Sequence, residues 1–201
     1  MKQDRHISDN AADVQQIRDN VLARSVADGD EEALRSVIRN YGDLVFRTAF
    51  KIVCDESEAE DIAQEVFIRV WRKAASYDGR RPFASWIYRI TCNLCIDFIR
   101  KRRITHPFSR LELSDAGGLP DRLLPAEISP EDRMVLQETW STFIAAASRL
   151  TPKQRITFVL KELEGLGTDE VSAITGMTPD RIKSNLYHAR KAIREMMSRQ
   201  F

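Results

Sequence analysis

Trp86, Arg89, Asn93, Asp97 and Arg100 recur at threes and fours through the stretch Phe83 to Arg103. On a helix turning about 100° per residue they share an arc of about 80°. An indole ring, an amide and guanidinium groups on one face are what unstacked bases and a phosphate backbone require. The stretch ends in the basic run Arg100, Lys101, Arg102 and Arg103, and the loop just before it carries Tyr77, Arg80 and Arg81. The chemistry this points to is capture of a single nucleic-acid strand. A solvated helix with Trp86 tucked under a neighbouring loop would leave the same pattern, so this helix alone does not decide.

A second constellation lies near the end of the chain. Thr168 is expected to cap a short helix, Asp169 to Thr175, followed by a tight turn at Gly176-Met177-Thr178-Pro179 and a long helix from Pro179 toward Met197. Ile182, Leu186, Ala189 and Ile193 would face inward, leaving Arg181, Lys183, Ser184, Tyr187, His188, Arg190 and Lys191 outside. A basic second helix after a short glycine turn is the helix-turn-helix pattern, and these side chains suit base edges and phosphates in a major groove. Plain helical bundles also contain such hairpins.

The third constellation is a candidate protein-docking face. Ser57 with Glu60 fits a capping box, and the helix that follows would bury Ile62, Ala63, Val66, Phe67, Val70 and Trp71. Its other side shows Asp61, Gln64, Glu65 and Ile68. The helix dipole alone accounts for the early acids. An isoleucine left outside among polar residues is what a partner's docking face looks like.

The elements that must position these groups are helical throughout. Asp28-Gly29-Asp30 signals a turn and cap, and Ala33, Leu34, Val37, Ile38, Tyr41, Leu44, Val45 and Thr48 follow as core positions. Phe83, Ile87, Ile90, Leu94 and Phe98 form the core stripe of the Trp86 helix. Periodicity fails between Ile104 and Ser129, which reads as a flexible linker, with Leu111, Leu113, Leu119, Leu123 and Leu124 free to pack on something. Ser129-Pro130 and Thr151-Pro152 each open a further helix. The expected fold is all-α: an extension over 1–22, a helical domain over 23–103, a linker over 104–129 and a second helical domain over 130–201.

Net charge is only +1, so composition does not announce a nucleic-acid binder. Distribution does: residues 104–148 are net −4, whereas residues 149–201 are net +4. Cys54, Cys92 and Cys95 are too few for a disulfide framework, and no signal peptide or long apolar run precedes them. A cytoplasmic protein without membrane insertion is expected. Cys92-x-x-Cys95, with His106 the nearby imidazole, reads as small helix-packing residues rather than a zinc or redox pair.

In order and spacing, three pieces of the chain resemble the sigma-70 superfamily of bacterial RNA polymerase initiation factors, in particular the short extracytoplasmic-function group. They are Ala59-Glu60-Asp61-Ile62-Ala63-Gln64-Glu65-Val66-Phe67, Phe83-Ala84-Ser85-Trp86-Ile87-Tyr88-Arg89-Ile90 with Asn93, and Leu150-Thr151-Pro152 through Glu162-Leu163-Glu164-Gly165-Leu166. The resemblance implies that Asp61, Gln64 and Glu65 dock on the clamp helices of core RNA polymerase. It implies that Asn93 and the Tyr77 loop hold a flipped minus-ten base, beside Trp86 and Arg89, and that Lys183 to Arg190 read the minus-thirty-five duplex of promoter DNA. It also implies an anti-sigma factor as partner. Lys183 and His188 depart from the family's frequent arginines, and Gly167-Thr168-Asp169 departs from its usual aromatic and acidic start.

Energetics agree with the need for a carrier. Opening about ten base pairs costs on the order of 14 kcal/mol, while stacking a base on an aromatic ring returns about 1–3 kcal/mol. No nucleophile, paired acid and base, metal cluster or phosphate loop stands out, so neither catalysis nor a cofactor is expected. Two other readings stay open at this point: a stand-alone helix-turn-helix regulator, and a thiol sensor using Cys92 and Cys95.

Overall fold

The structure is a computed structural model that describes residues 3–105 and 118–198, with side chains over 14–102 and 118–198. Among the described residues eight α-helices run in order: α1 (Gln3–Ala27), α2 (Glu31–Val53), α3 (Glu56–Lys73), α4 (Phe83–Thr105), α5 (Pro130–Ala147), α6 (Pro152–Phe158), α7 (Thr168–Thr175) and α8 (Pro179–Met197). Among the described residues there is no strand.

Local chemistry sets most of the boundaries. Asp30 caps α2, its carboxylate accepting from the Glu32 and Ala33 N–H groups, and Ser129 caps α5 with Pro130 in the first turn. Thr151 and Gln154 close a reciprocal capping box on α6. Two expected caps move. The N-cap of α3 is Asp55, which accepts from the Glu58 N–H, and Ser57 falls inside the first turn. The cause is upstream: Cys54 ends α2 at φ 61, a left-handed conformation, and throws Asp55 into an extended one. Glycine usually takes that position, and a side chain there costs on the order of 1 kcal/mol. At α7 the cap is Gly167, whose N–H donates to the Glu170 carboxylate, so Thr168 is already helical.

Helices α1 to α4 pack around Val37, Val45, Val66, Val70, Phe83 and Ile87, all fully buried or nearly so. Helices α5 to α8 pack around Ile156, Leu160, Val171, Ile174 and Ile182. The α4 core face is wider than one stripe, because Tyr88, Cys92, Cys95 and Ile99 are buried while Ile90 and Phe98 are only half-buried. The extra width faces the second half of the molecule, since α4 packs on α6 and α7 as well as on α2 and α3.

Polar and aromatic contacts join the two halves. Phe50 stacks on Trp140 at 4.9 Å between ring centroids. Arg155, fully buried, donates to the Ile52 carbonyl at 2.8 Å and to that of Ala147. Residues 159–163 continue α6 as a π-helical segment, and Glu164 directly after it meets Lys51 Nζ at 2.7 Å and the Tyr88 hydroxyl at 3.2 Å.

Of the expected linker, residues 106–117, including Leu111 and Leu113, lie outside the described residues. The described remainder is not a bare tether. Leu119 and Leu123 pack against the core, and a short 3-10 turn spans Asp121–Leu123.

Candidate functional site

Three clusters emerge, each placed by a different helix pair. The first lies where the loop after α3 meets α4. Trp86 stacks on Phe83 with ring centroids 5.5 Å apart, and Tyr77 leans on both at 5.6 and 5.0 Å. The indole therefore belongs half to the core and half to the outer face, with Tyr77 of the preceding loop against it, between the two placements the sequence pattern left open. Tyr77, Arg80, Arg81, Trp86 and Arg89 line one cleft of about 390 Å³. Of these, Arg80, Arg81 and Arg89 are exposed. Asn93 is exposed on the same helix but lies outside this cleft, about two turns further along α4.

Arg100 and Lys101 are exposed, Arg102 lies 3.9 Å from Asp55, and the side chain of Arg103 lies outside the described residues. The cleft's far wall is Ala173 of α7, whose carbonyl accepts from the Arg81 guanidinium at 3.0 Å. The second half thus borders the candidate strand site.

Sequence reasoning missed two residues here. Gln16 and Asn20 of α1 hold the Tyr77 hydroxyl: Gln16 Nε2 donates to it at 3.0 Å, and the hydroxyl lies 2.9 Å from Asn20 Oδ1 and 2.7 Å from the Arg81 carbonyl. Burial pushes the Tyr77 phenol above its ordinary range, so it stays a donor. Nothing in the sequence marks these partners, which stand 61 and 57 positions from Tyr77.

The second cluster is a groove of about 1280 Å³ between α2 and α3. Leu34, Ile38, Phe46, Phe67, Ile68 and Trp71 supply its apolar lining, with Gln64 and Glu60 on its edge. Ile68 is 44% exposed, as expected of a docking anchor, and so is Ile38 at 41%, which the sequence pattern assigned to the core. Ile38 faces this groove instead of the interior. Asp61 is exposed and Glu65 is ion-paired with Arg69 at 2.9 Å, and neither lines the groove.

The third cluster is the outer face of α8. Gly176, at φ 69, stops α7 with its N–H on the Ser172 carbonyl, and the Thr178 hydroxyl caps α8. Arg181, Lys183, Ser184, His188 and Lys191 are exposed, and Tyr187 is 65% exposed with its ring against His188. Arg190 is exposed too, but it turns back to Glu162 at 2.7 Å.

The cysteines stand apart from all three clusters. Each is buried and free. Burial pushes the Cys54 thiol up to about 11 and that of Cys92 up to about 12, and raises Cys95 as well. Thiols so protonated are poor nucleophiles, which counts against a sensor. His106 lies outside the described residues, and among those described no group of three or more His, Cys, Asp or Glu could hold a metal ion.

Comparison with known proteins bears on these clusters. Residues 37–104 match sigma-70 region 2 and residues 142–193 match sigma-70 region 4. The chain is 31% identical over 176 residues to the ECF RNA polymerase sigma factor SigW of Bacillus subtilis, covering 87% of this chain and 94% of that protein. It is 28% identical over 180 residues to the ECF RNA polymerase sigma-E factor of Escherichia coli K12, covering 89% and 94%. In fold it is similar to CnrH, solved in complex with the cytosolic domain of CnrY, with a TM-score of 0.64 and 21% identity over 91% of this chain and 99% of that one.

Proposed function

The chain belongs to the extracytoplasmic-function RNA polymerase sigma factors, and from that premise we propose how its three clusters divide the work of starting transcription. The α2–α3 groove with Asp61, Gln64, Glu65 and Ile68 docks on core polymerase. The Tyr77–Trp86 cleft, with Arg80, Arg81, Arg89 and Asn93 and the basic end of α4, captures the melted non-template strand of a minus-ten element. The outer face of α8 reads the minus-thirty-five duplex, Lys183, Ser184, Tyr187 and His188 toward bases and Arg181 and Lys191 toward phosphates.

The observation that supports this division most directly is the Tyr77–Phe83–Trp86 stack beside exposed Arg80, Arg81 and Arg89. Stacked rings beside exposed cations form a platform for unpaired bases, a feature that duplex reading alone does not call for. Because each stacked base contributes only about 1–3 kcal/mol, the platform traps bases that the polymerase helps to open.

CnrH was solved in complex with the cytosolic domain of CnrY, and an anti-sigma partner for this chain is part of the proposal, as is action in the cytoplasm. No helix among the described residues is long and apolar enough to cross a membrane. The deciding experiment is in vitro transcription with core polymerase on a genomic library. Defined start sites that require this chain are expected. Binding to duplex DNA with no dependence on core enzyme would favour a stand-alone regulator instead.

A further inference from the structure

Arg122 is where the segment following residue 117 meets the α2–α3 groove. Its guanidinium carbon sits 3.0 Å from the centroid of the Phe46 ring. The same group lies 2.9 Å from a Glu60 oxygen and 3.6 Å from one of Glu56. The segment is also held from the other side. The Leu119 N–H donates to the Gln137 side chain at 2.7 Å, the Gln137 amide donates back to the Leu119 carbonyl at 3.0 Å, and Arg133 pairs with Asp121. Arg122 thereby lines the groove together with Gln64 and Ile68.

We propose that the segment Leu119–Leu124 is an internal occupant of the polymerase-docking groove, and that core polymerase must displace Arg122 to seat fully. The proposal rests on the polymerase reading given above. It also states the chemistry of the incoming surface: an apolar ridge for Ile38 and Ile68, and a cation that replaces Arg122 over Phe46 and beside Glu60. The hold is built to be released. The Arg122 side chain is 43% exposed and that of Glu60 52%, so water screens the pair, and the cation over one face of the Phe46 ring adds a modest attraction.

The test is the affinity of the full chain for core polymerase, compared among wild type, Arg122→Ala and Arg122→Lys. Arg122→Ala is expected to bind about three- to tenfold tighter, the scale of one screened ion pair and one cation–π contact. Arg122→Lys, which keeps the charge and loses the flat group, is expected in between. A second measurement needs no polymerase: trypsin cleavage after Arg122 should be several-fold faster in Glu56→Gln with Glu60→Gln than in wild type.

Equal or weaker binding by Arg122→Ala, with wild type bound, would overturn the competition. Unchanged cleavage would overturn the docking. A wild-type chain that binds no core enzyme sinks the polymerase reading itself, and the competitor role with it.

Discussion

Lys51 Nζ and Glu164 Oε1 lie 2.7 Å apart although 113 positions separate them, and the Tyr88 hydroxyl approaches the second oxygen of the same carboxylate at 3.2 Å. The side chains of the pair are 24% and 15% exposed. That places them between a screened surface pair, worth about 0–1 kcal/mol, and a fully buried one, where removing one partner costs about 3–5 kcal/mol. Glu164→Gln is therefore expected to lower unfolding free energy by about 1–3 kcal/mol in urea titrations. Lys51→Met combined with Glu164→Leu should lose less than the two single changes added together. Strict additivity would mean that the contact carries no energy.

Asn93 is exposed, so a change to alanine leaves the core intact. Asn93→Ala is expected to lower transcription from a duplex promoter by about five- to tenfold, the scale of one hydrogen bond to an otherwise unpaired base, with a smaller loss on a pre-melted template. Equal losses on both templates would count against base capture. Trp86→Ala should show the same asymmetry with an added fall in thermal stability, because the indole also stacks on Phe83.

Asp61→Arg with Glu65→Arg is expected to weaken the complex with core polymerase by at least about tenfold, while leaving the helix content unchanged. Glu65 gives up only an exposed ion pair with Arg69, so folding is not at stake. A complex of unaltered strength would remove this face from the docking site.

Lys183→Ala should weaken binding to a minus-thirty-five duplex and lower its discrimination between sequences while the salt slope holds, as a base contact requires. A fall of about one unit in the slope would count against that contact and place Lys183 on phosphate. The comparison is made by titrating duplex binding at several salt concentrations.

The buried thiols give an alkaline limit. The Cys92 thiol rises from an ordinary 9.0 to about 12 and that of Cys54 to about 11, in both cases chiefly through burial. Below pH 9 both states of the chain keep these protons and no stability depends on them. Between that value and the raised ones the unfolded chain releases protons that the folded chain retains. Stability then falls with rising pH, by up to about 1.4 kcal/mol per unit for each thiol. Melting temperature measured from pH 8 to 10.5 should be flat at first and then drop, and each cysteine-to-alanine change should flatten its share of the drop.

Much of this was legible from local chemistry. Asp30, Ser129, Thr151 and Pro179 announced their helices because a cap or a first-turn proline acts within four residues of itself. The α8 face was legible because Lys183 and Tyr187 are exposed, and periodicity then decides which side faces out. Cys92 and Cys95 read as helix-packing residues and are buried, whereas Ile38 was harder. Ile38 fits the core period of α2 yet opens into a groove that depends on where α3 lies. Cys92 and Cys95 sit off the stripe of α4 and are sealed because α6 and α7 pack there. Gln16 and Asn20 are ordinary polar residues of α1 until the fold brings Tyr77 to them.

Arg155 gives the seam between the two halves a particular temper. Its charge is permanent, and sealing it from water forgoes hydration worth several kcal/mol, against which stand contacts such as those to the Ile52 and Ala147 carbonyls. A junction lined by hydrocarbon alone would cling. One with a guanidinium at its heart recovers hydration where it opens, so parting it costs less than its buried area alone would suggest.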